Sequence, residues 1–346
     1  MDNMAELKRT ETCFGTLSNG KKVNLFTISN KKMSVSVSDY GCTLTSIVLP
    51  GDVDVLLGYS TLDGFVNDNS SYGVVVGRFA NRIGGASFVL DGTSYSLDKN
   101  DGENMLHGGF DRWEKKVWEV APVQTETGLG VRFFRQSKDG EQHFPGTMDV
   151  TVTYTLDENN VLTLDYKAIC DKKTPINLTN HAYFNLKGYM GGTICDHELQ
   201  MNCDSYIEVD KNLIPTKKLP VKGTAFDFTT PKTIGKDIEK TVGGYDHCFC
   251  QTDYVSDGTL RTIATVKEPV SGRTMVVKTT LPGVQLYTGN FIEGAKGKNG
   301  FTYHKHDAFC LETEFFPDSP NREDFPSCIL NAGQEYHHIT QYCFGF

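Results

Sequence analysis

Residues 177–188 form a polar stretch whose side chains could perform acid and base chemistry. It contains His181, Tyr183 and Asn185, with single apolar residues between them. Side chains alternate between the two faces of a strand, so a strand here would turn all three to one side. The competing interpretation is a hydrogen-bonded network inside a β protein, because buried polar groups are normally paired.

Polar side chains also cluster in four other segments. These segments are residues 77–83, 104–109, 243–249 and 311–318. Taken singly, Arg82 is typical of a surface ion pair, His107 of a loop and Asp246 of a turn. The sequence has neither a glycine-rich nucleotide motif nor a Gly-x-Ser-x-Gly elbow. Nucleotide binding is therefore disfavoured, and an enzyme built from this chain would have to use side-chain acids and bases.

The cysteines and histidines do not form a zinc-binding pattern. The ten cysteines have no repeated short spacing, and we expect most of them to be reduced and buried. Residues 247–250, 304–306 and 337–338 contain possible ligands, but none has the paired spacing of a zinc site. We therefore expect no metal.

The composition is that of a globular protein, with 38% hydrophobic and 22% charged residues. No apolar run is long enough to cross a bilayer, and nothing near the N-terminus resembles a secretory signal. The formal net charge of -9 disfavours nucleic acid and anionic membranes as partners. We expect a soluble, cytoplasmic protein whose ligand is not a polyanion.

Alternation of apolar and polar residues predicts antiparallel β structure along the whole chain. The clearest strands are residues 33–38, 150–156, 162–168, 262–266 and 275–281. Residues 157–160 and 268–273 join consecutive strands as hairpin loops. The best helix candidate is one short segment at 233–238. No linker divides the chain, so we predict a mainly β protein, a large antiparallel sandwich with few short helices, in a single domain over 1–346.

Eight motifs, in order, carry a resemblance to a known family. They are YGCTLTS (40–46), LGY (57–59), VGRFANRI (76–83), LHGG (106–109), TNHAYFNL (179–186), PGVQLYTGN (282–290), CLET (310–313) and GQEYHHIT (333–340). Together they are similar to the aldose 1-epimerases, also called galactose mutarotases. An ordered match over nearly the whole chain is far more specific than any single motif.

The resemblance implies an isomerase with a galactose mutarotase-like sandwich, a shallow sugar cleft and no cofactor. Such an enzyme interconverts the α and β anomers of free hexoses such as galactose and glucose. By similarity Glu312 is the general base and His181 the general acid, and the two exchange roles on ring closure. The implied substrate-binding residues are Asn81, Arg82, His107, Asp246 and Gln285. We expect a monomer or weak dimer whose partner is a small sugar.

One position departs from the family pattern. The family usually has an uncharged residue, often Gln, where this chain has Glu314. Residues two apart on a strand share a face, so a second carboxylate would disfavour ionisation of Glu312. The resemblance leaves the aromatic cover of the sugar open, and Phe79, Tyr183 and Phe316 are candidates.

Three alternatives remain open at this point. A sugar-phosphate epimerase would need a basic cluster at the cleft, which Arg78 and Arg82 could begin. A glycosidase could use Glu312 and Asp246 as its carboxylate pair. A catalytically silent sugar-binding regulator is the third, although a binder has no need of both Glu312 and His181.

Overall fold

The protein is mainly β, as predicted. The computed structural model describes residues 7–67 and 69–346. Its strands form one nine-stranded sheet, two five-stranded sheets and several two-stranded ladders. The prediction of a single domain over 1–346 includes residues 1–6 and 68, which lie outside the described residues, and it stays a prediction.

The nine-stranded sheet is antiparallel throughout. In spatial order its strands are Glu119–Gln124, Gly128–Ser137, Met148–Asp157, Val161–Cys170, Glu335–Gly345, Thr274–Thr279, Arg261–Lys267, Glu198–Met201 and Lys232–Thr233. Every second side chain of the Met148–Asp157 strand is buried, which is the alternation read from the sequence. Both predicted hairpins are confirmed, because Met148–Asp157 pairs with Val161–Cys170 and Arg261–Lys267 pairs with Thr274–Thr279.

Two five-stranded sheets complete the main framework. The N-terminal sheet contains Lys8–Thr16, Lys22–Ser29, Ser34–Ser38, Thr43–Leu49 and Val53–Asp54. The second, which we call the site sheet, contains Pro215–Pro220, Cys203–Val209, Asp246–Gln251, Gly283–Tyr287 and Cys310–Glu314 in spatial order. The two-stranded ladders pair Arg82–Ile83 with Met105–Leu106, Val75–Val76 with Thr179–Asn180, Ser87–Leu90 with Thr93–Ser96, Thr174–Pro175 with Ile329–Leu330, and Ala295–Lys296 with Thr302–Tyr303.

Helices are few and short. The α-helix is Leu62–Val66, and the 3₁₀ helices are Gly84–Ala86, Trp113–Lys115, Glu141–His143, Ile234–Lys236, Ile238–Lys240, Lys298–Gly300 and Ser319–Asn321. None of the helices in the described part of the chain has the length and apolar character needed to span a membrane.

The predicted helix at 233–238 is wrong. Two 3₁₀ turns occupy this segment, Ile234–Lys236 and Ile238–Lys240. The backbone N–H of Ile234 donates to the carbonyl of His197, and that of Gly235 donates to the carbonyl of Cys195. Because these N–H groups bond to a neighbouring loop, the first 3₁₀ helix does not extend beyond one turn.

A continuous hydrophobic core lies between the sheets. The phenolic O–H of Tyr154 in the large sheet donates to the carbonyl of Cys42, which precedes a strand of the N-terminal sheet, over 2.9 Å. The rings of Phe26 and Phe133 meet edge to face across the same interface, with centroids 6.0 Å apart. Leu286 and Leu311 of the site sheet belong to the same core.

Residues 177–188 form a strand only at Thr179–Asn180, so the predicted continuous strand is wrong. Asparagine amides replace the missing ladder bonds. The Asn177 amide nitrogen donates to the carbonyls of Ala80 and Phe315, and its oxygen accepts from the Phe315 N–H. The Asn185 amide donates to the loop carbonyls of Gly192 and Asp307. Isolated backbone bridges, such as that between Phe184 and Phe309, and the asparagine side chains together fix this irregular segment.

We expect Asn177→Ala to destabilise the fold by roughly 2 to 5 kcal/mol, because it leaves several buried backbone groups without partners. Urea unfolding measures the loss. The control is Asn202→Ala, since Asn202 is exposed but also donates to a carbonyl, that of Thr262. Its loss should stay below about 1 kcal/mol. Equal losses in the two variants would contradict the structural role of Asn177.

Candidate active site

A polar cleft of about 240 Å³ opens at one end of the site sheet. All seven residues that the sequence singles out line it: Asn81, Arg82, His107, His181, Asp246, Gln285 and Glu312. They come from six separate parts of the chain, and the fold brings them to one place.

Three adjacent strands of the site sheet supply the acidic wall of the cleft. Glu312 lies directly opposite Gln285, and Asp246 lies opposite Tyr287. The Gln285 amide nitrogen donates to the Asp246 carboxylate over 2.7 Å. Burial raises the pKa of Asp246, while Arg82 and the Gln285 amide partly oppose that shift. Neighbouring strands thus hold two carboxyl groups and an amide side by side.

His181 contacts Glu312 across the cleft. Its Nε2 lies 3.6 Å from Oε1 of Glu312, and both side chains are more than nine-tenths buried. The imidazole stacks on the ring of Tyr183 at a 5.0 Å centroid distance. Its Nδ1 lies 3.6 Å from the Cys310 thiol. Aromatic packing and the thiol therefore orient the ring toward the carboxyl group.

Burial favours the uncharged form of both partners. It lowers the pKa of His181 to about 4, with a smaller contribution from the positive charge of Arg112. It raises the pKa of Glu312 well above its ordinary value, helped by the nearby Glu314 and Asp246. Burial thus favours a neutral imidazole beside a protonated carboxyl group, an arrangement in which the pair shares one proton.

A backbone bond fixes the tautomer of His107. The Asn81 N–H donates to its Nδ1 over 3.1 Å. Burial in the cleft and the charges of His181, Arg112 and Arg82 lower the pKa of His107 well below its ordinary value. The neutral ring therefore carries its proton on Nε2. It can donate one hydrogen bond to a ligand.

The donor set also bears on metal binding. Possible ligand atoms of His107, His181 and Glu312 lie within 4.8 Å of one another. Two imidazoles and a carboxylate could suit zinc. However, the Nδ1 lone pair of His107 already accepts from Asn81, and its Nε2 carries a proton. The neutral ring thus has no free lone pair for an ion, and the arrangement fits a proton-transfer site better than a metal centre.

Two guanidinium groups line the cleft, and both are paired with carboxylates. Arg82 donates to Asp101 over 2.7 Å. Arg112, which the sequence reading missed, lies 3.4 Å from Glu114. Arg78 does not reach the cleft, because it is fully buried and donates to the carbonyls of Pro145 and Ser137. Arg78 and Arg82 therefore do not form a basic cluster at the cleft.

The aromatic predictions are only partly right. Tyr183 lines the cleft, whereas Phe79 is packed in the main core and Phe316 packs against Phe325 outside the cleft. The ring of Phe291 also lines the cleft and is 76% exposed. Other lining residues that sequence reasoning missed are Asn69, Ser70, Ser71, Leu106, Arg112, Tyr287 and Ile292. Tyr287 lies within the PGVQLYTGN motif, but no sequence signal marks Arg112.

Known proteins resemble this chain over nearly its whole length. The family model described as aldose 1-epimerase matches residues 24–343. The chain belongs to the aldose 1-epimerase family. It is accordingly an isomerase, and the resemblance predicted from the motifs is confirmed. Galactose mutarotase from Mus musculus is 43% identical, covering 97% of this chain and 98% of that protein. Aldose 1-epimerase from Escherichia coli is 36% identical, covering 94% and 96%.

Solved structures agree with this membership. The crystal structure of galactose 1-epimerase from Lactobacillus acidophilus is 28% identical with a TM-score of 0.87, covering 98% of this chain and 99% of that one. That of an aldose epimerase homologue from C. elegans is 31% identical with a TM-score of 0.85, covering 93% and 99%. The predicted mutarotase-like sandwich is thereby confirmed.

We expect His107 to remain neutral at pH 6 with its proton on Nε2, because desolvation disfavours the imidazolium and Asn81 occupies Nδ1. Nitrogen-15 NMR of histidine-labelled protein distinguishes the two tautomers and the charged ring. The variant His107→Gln identifies the signal by its loss. A His107 signal typical of imidazolium at pH 6 would contradict this assignment.

Proposed function

We propose that this protein interconverts the α and β anomers of free hexoses such as galactose and glucose, with Glu312 as general base and His181 as general acid. The observation that carries the proposal is the 3.6 Å contact between these two groups at the buried wall of a polar cleft. Membership in the aldose 1-epimerase family supports it, as do relatives named galactose mutarotase.

The reaction needs one proton taken and one proton given. Glu312 removes the proton of the C1 hydroxyl while His181 protonates the ring oxygen, and the bond between C1 and the ring oxygen breaks to give an aldehyde. Rotation about the C1–C2 bond presents the other face of the carbonyl. On closure Glu312 returns its proton to the carbonyl oxygen, and His181 accepts the proton of the attacking hydroxyl. The pair ends with the single proton that it held at the start.

The electrostatics of the cleft suit the open-chain intermediate. After ring opening Glu312 is protonated and His181 is neutral, which is the arrangement that burial favours. With the closed sugar bound, the C1 hydroxyl donates to the Glu312 carboxylate and helps to stabilise its ionised form. The protein thereby lowers the energy of the state that is reached by breaking the ring.

The remaining cleft residues would hold the sugar hydroxyls. The Asp246 carboxylate and the Arg82 guanidinium supply directional charged hydrogen bonds, while Gln285 and Asn81 supply amide groups. The Nε2 proton of His107 would point a neutral donor at the sugar. Tyr183 and Phe291 offer ring surface for the apolar face of a hexose.

A free hexose fits the cleft better than a sugar phosphate. Among the described residues that line it, both guanidinium groups already have carboxylate partners. A phosphate would have to compete with Asp101 and Glu114 for them. Cytoplasmic location, a monomeric or weakly dimeric state, and galactose or glucose as preferred substrate stay predictions.

We expect Glu312→Gln and His181→Asn each to slow anomer equilibration by roughly a hundredfold or more, because each removes one proton-transfer group. Polarimetry or NMR on freshly dissolved α-D-galactose measures the rate. The matched controls are Glu335→Gln and His304→Asn, whose side chains are exposed and outside the cleft. The proposal is wrong if the wild-type protein does not accelerate equilibration beyond buffer. A protein that binds galactose without accelerating the equilibration of its anomers would be a sugar-binding regulator.

We expect a bell-shaped dependence of kcat/KM on pH. Below a pH of about 4 His181 gains a proton while Glu312 keeps its own, so no base remains. Above the raised pKa of Glu312 the pair loses its last proton, so no acid remains. The plateau should therefore extend from near pH 4 to well above the ordinary range of a carboxyl group. An acid limb near pH 6.5 would show instead that His181 titrates as an exposed imidazole.

A further inference from the structure

Glu314 is a carboxyl group enclosed by the protein beneath the cleft. Its side chain is fully buried, and it does not line the cleft. One oxygen, Oε1, accepts a hydrogen bond from the Asn81 amide nitrogen over 3.0 Å. The other, Oε2, is buried without a hydrogen-bond partner among the described residues. An ionised carboxylate normally has donors at both oxygens when it is buried.

The charges around Glu314 disfavour a second anion. Glu312 lies two residues earlier on the same strand, and Asp246 and the Cys248 thiol come from the Asp246–Gln251 strand. Arg82 is the cation that acts on it, but its guanidinium is paired with Asp101. Within the part of the chain that the structure describes, Glu314 forms no ion pair. Burial is the largest influence and raises its pKa well above the ordinary value.

The strand opposite Glu314 is closely packed. Gly283 lies directly opposite Glu314 on the neighbouring strand. A single added Cβ at Gly283 would lie 2.9 Å from the Cys248 sulfur and 2.9 Å from the Phe316 ring. This tight packing means that a charge on Glu314 could not be relieved by a modest rearrangement.

Asn81, the partner of Glu314, connects several parts of the cleft. Its backbone is in the left-handed region, with φ of 64°. Its N–H donates to His107, its amide oxygen accepts from the Arg82 N–H, and its amide nitrogen donates to Glu314. The Glu314 oxygen therefore fixes the orientation of the amide that faces the cleft.

We propose that Glu314 is protonated at neutral pH and acts as an uncharged positioning residue for Asn81, so that it adds no second negative charge beside Glu312. The consequence for activity rests on the proposed function, whereas the protonation state does not. A protonated Glu314 resembles glutamine in shape and charge. It leaves Glu312 free to ionise when the sugar hydroxyl binds.

Folding must then take up a proton at neutral pH. In the unfolded chain a glutamate has a pKa of about 4.3 and is ionised at pH 7. In the folded protein Glu314 stays protonated, so the folded state binds more protons and its stability falls as pH rises above about 4.3. Glutamine at this position takes up no proton, so the variant Glu314→Gln escapes this loss.

Chemical denaturation of the wild-type protein and of Glu314→Gln at several pH values from 5.5 to 8 tests the protonation state. We expect the ratio of folding constants, variant over wild type, to rise with pH by up to about tenfold per unit. The exposed Glu335→Gln change is the control, and its ratio should stay constant. A constant ratio for Glu314→Gln would overturn the proposal, because it means that Glu314 is ionised in both states.

Kinetics test the positioning role. Glu314→Gln should keep KM within about twofold and leave the acid limb of the pH profile in place, since an amide oxygen can still accept from Asn81. Glu314→Leu removes that acceptor and should raise KM about tenfold or more, because Asn81 loses its orientation. A downward shift of the acid limb in Glu314→Gln would show that Glu314 carries a charge, and unchanged KM in Glu314→Leu would exclude the positioning role. If wild type shows no mutarotation, the proposed function fails, and the denaturation result still decides the protonation state.

Discussion

Removing carboxyl groups from water is the constraint on which this cleft depends. Three acidic side chains, Asp246, Glu312 and Glu314, lie within three adjacent strands of one sheet, and burial raises the pKa of each. A nearby polar side chain offsets part of the desolvation cost of each carboxyl group. Asp246 accepts from an amide, Glu312 faces an imidazole, and Glu314 bonds to Asn81. The burial that costs free energy in the folded state also raises the pKa of these carboxyl groups, which suits the proton transfer proposed for Glu312.

The chemistry of the cleft follows from this proton balance rather than from a strong fixed charge. His107 and His181 favour the neutral imidazole, and the buried Glu312 carboxyl group competes with His181 for one proton. A pair that gives one proton to the sugar and takes one back suits a reaction that begins and ends with the same protonation state. The backbone bond to His107 keeps that ring as a donor and separates its role from that of His181.

Much of the fold could be predicted from local pattern, because alternation along a strand depends only on which face is buried. The hairpins around residues 157–160 and 268–273 are of this kind. Residues 177–188 mislead because isolated backbone bridges and asparagine amides, rather than continuous strand pairing, supply their hydrogen bonds. Arg78 and Arg112 mislead for another reason, since their sequence neighbours do not indicate which guanidinium is buried. Six of the seven cleft residues named from the sequence lie in the ordered motifs, Asp246 being the exception, and alternation alone would not have assembled them.

The contact between Asn81 and Glu314 joins residues 233 positions apart, and Gly84 bonds to Asp318 over 234 positions. Most of the chain must therefore leave the ribosome before the cleft can close. A nascent chain that stops short of residue 310 has the histidines but lacks Glu312, so it cannot form even a partial acid and base pair. Such long-range closure is entropically costly and is typically slow in β proteins. Activity should therefore appear during synthesis only when the whole sandwich is complete, and not when any one part has formed.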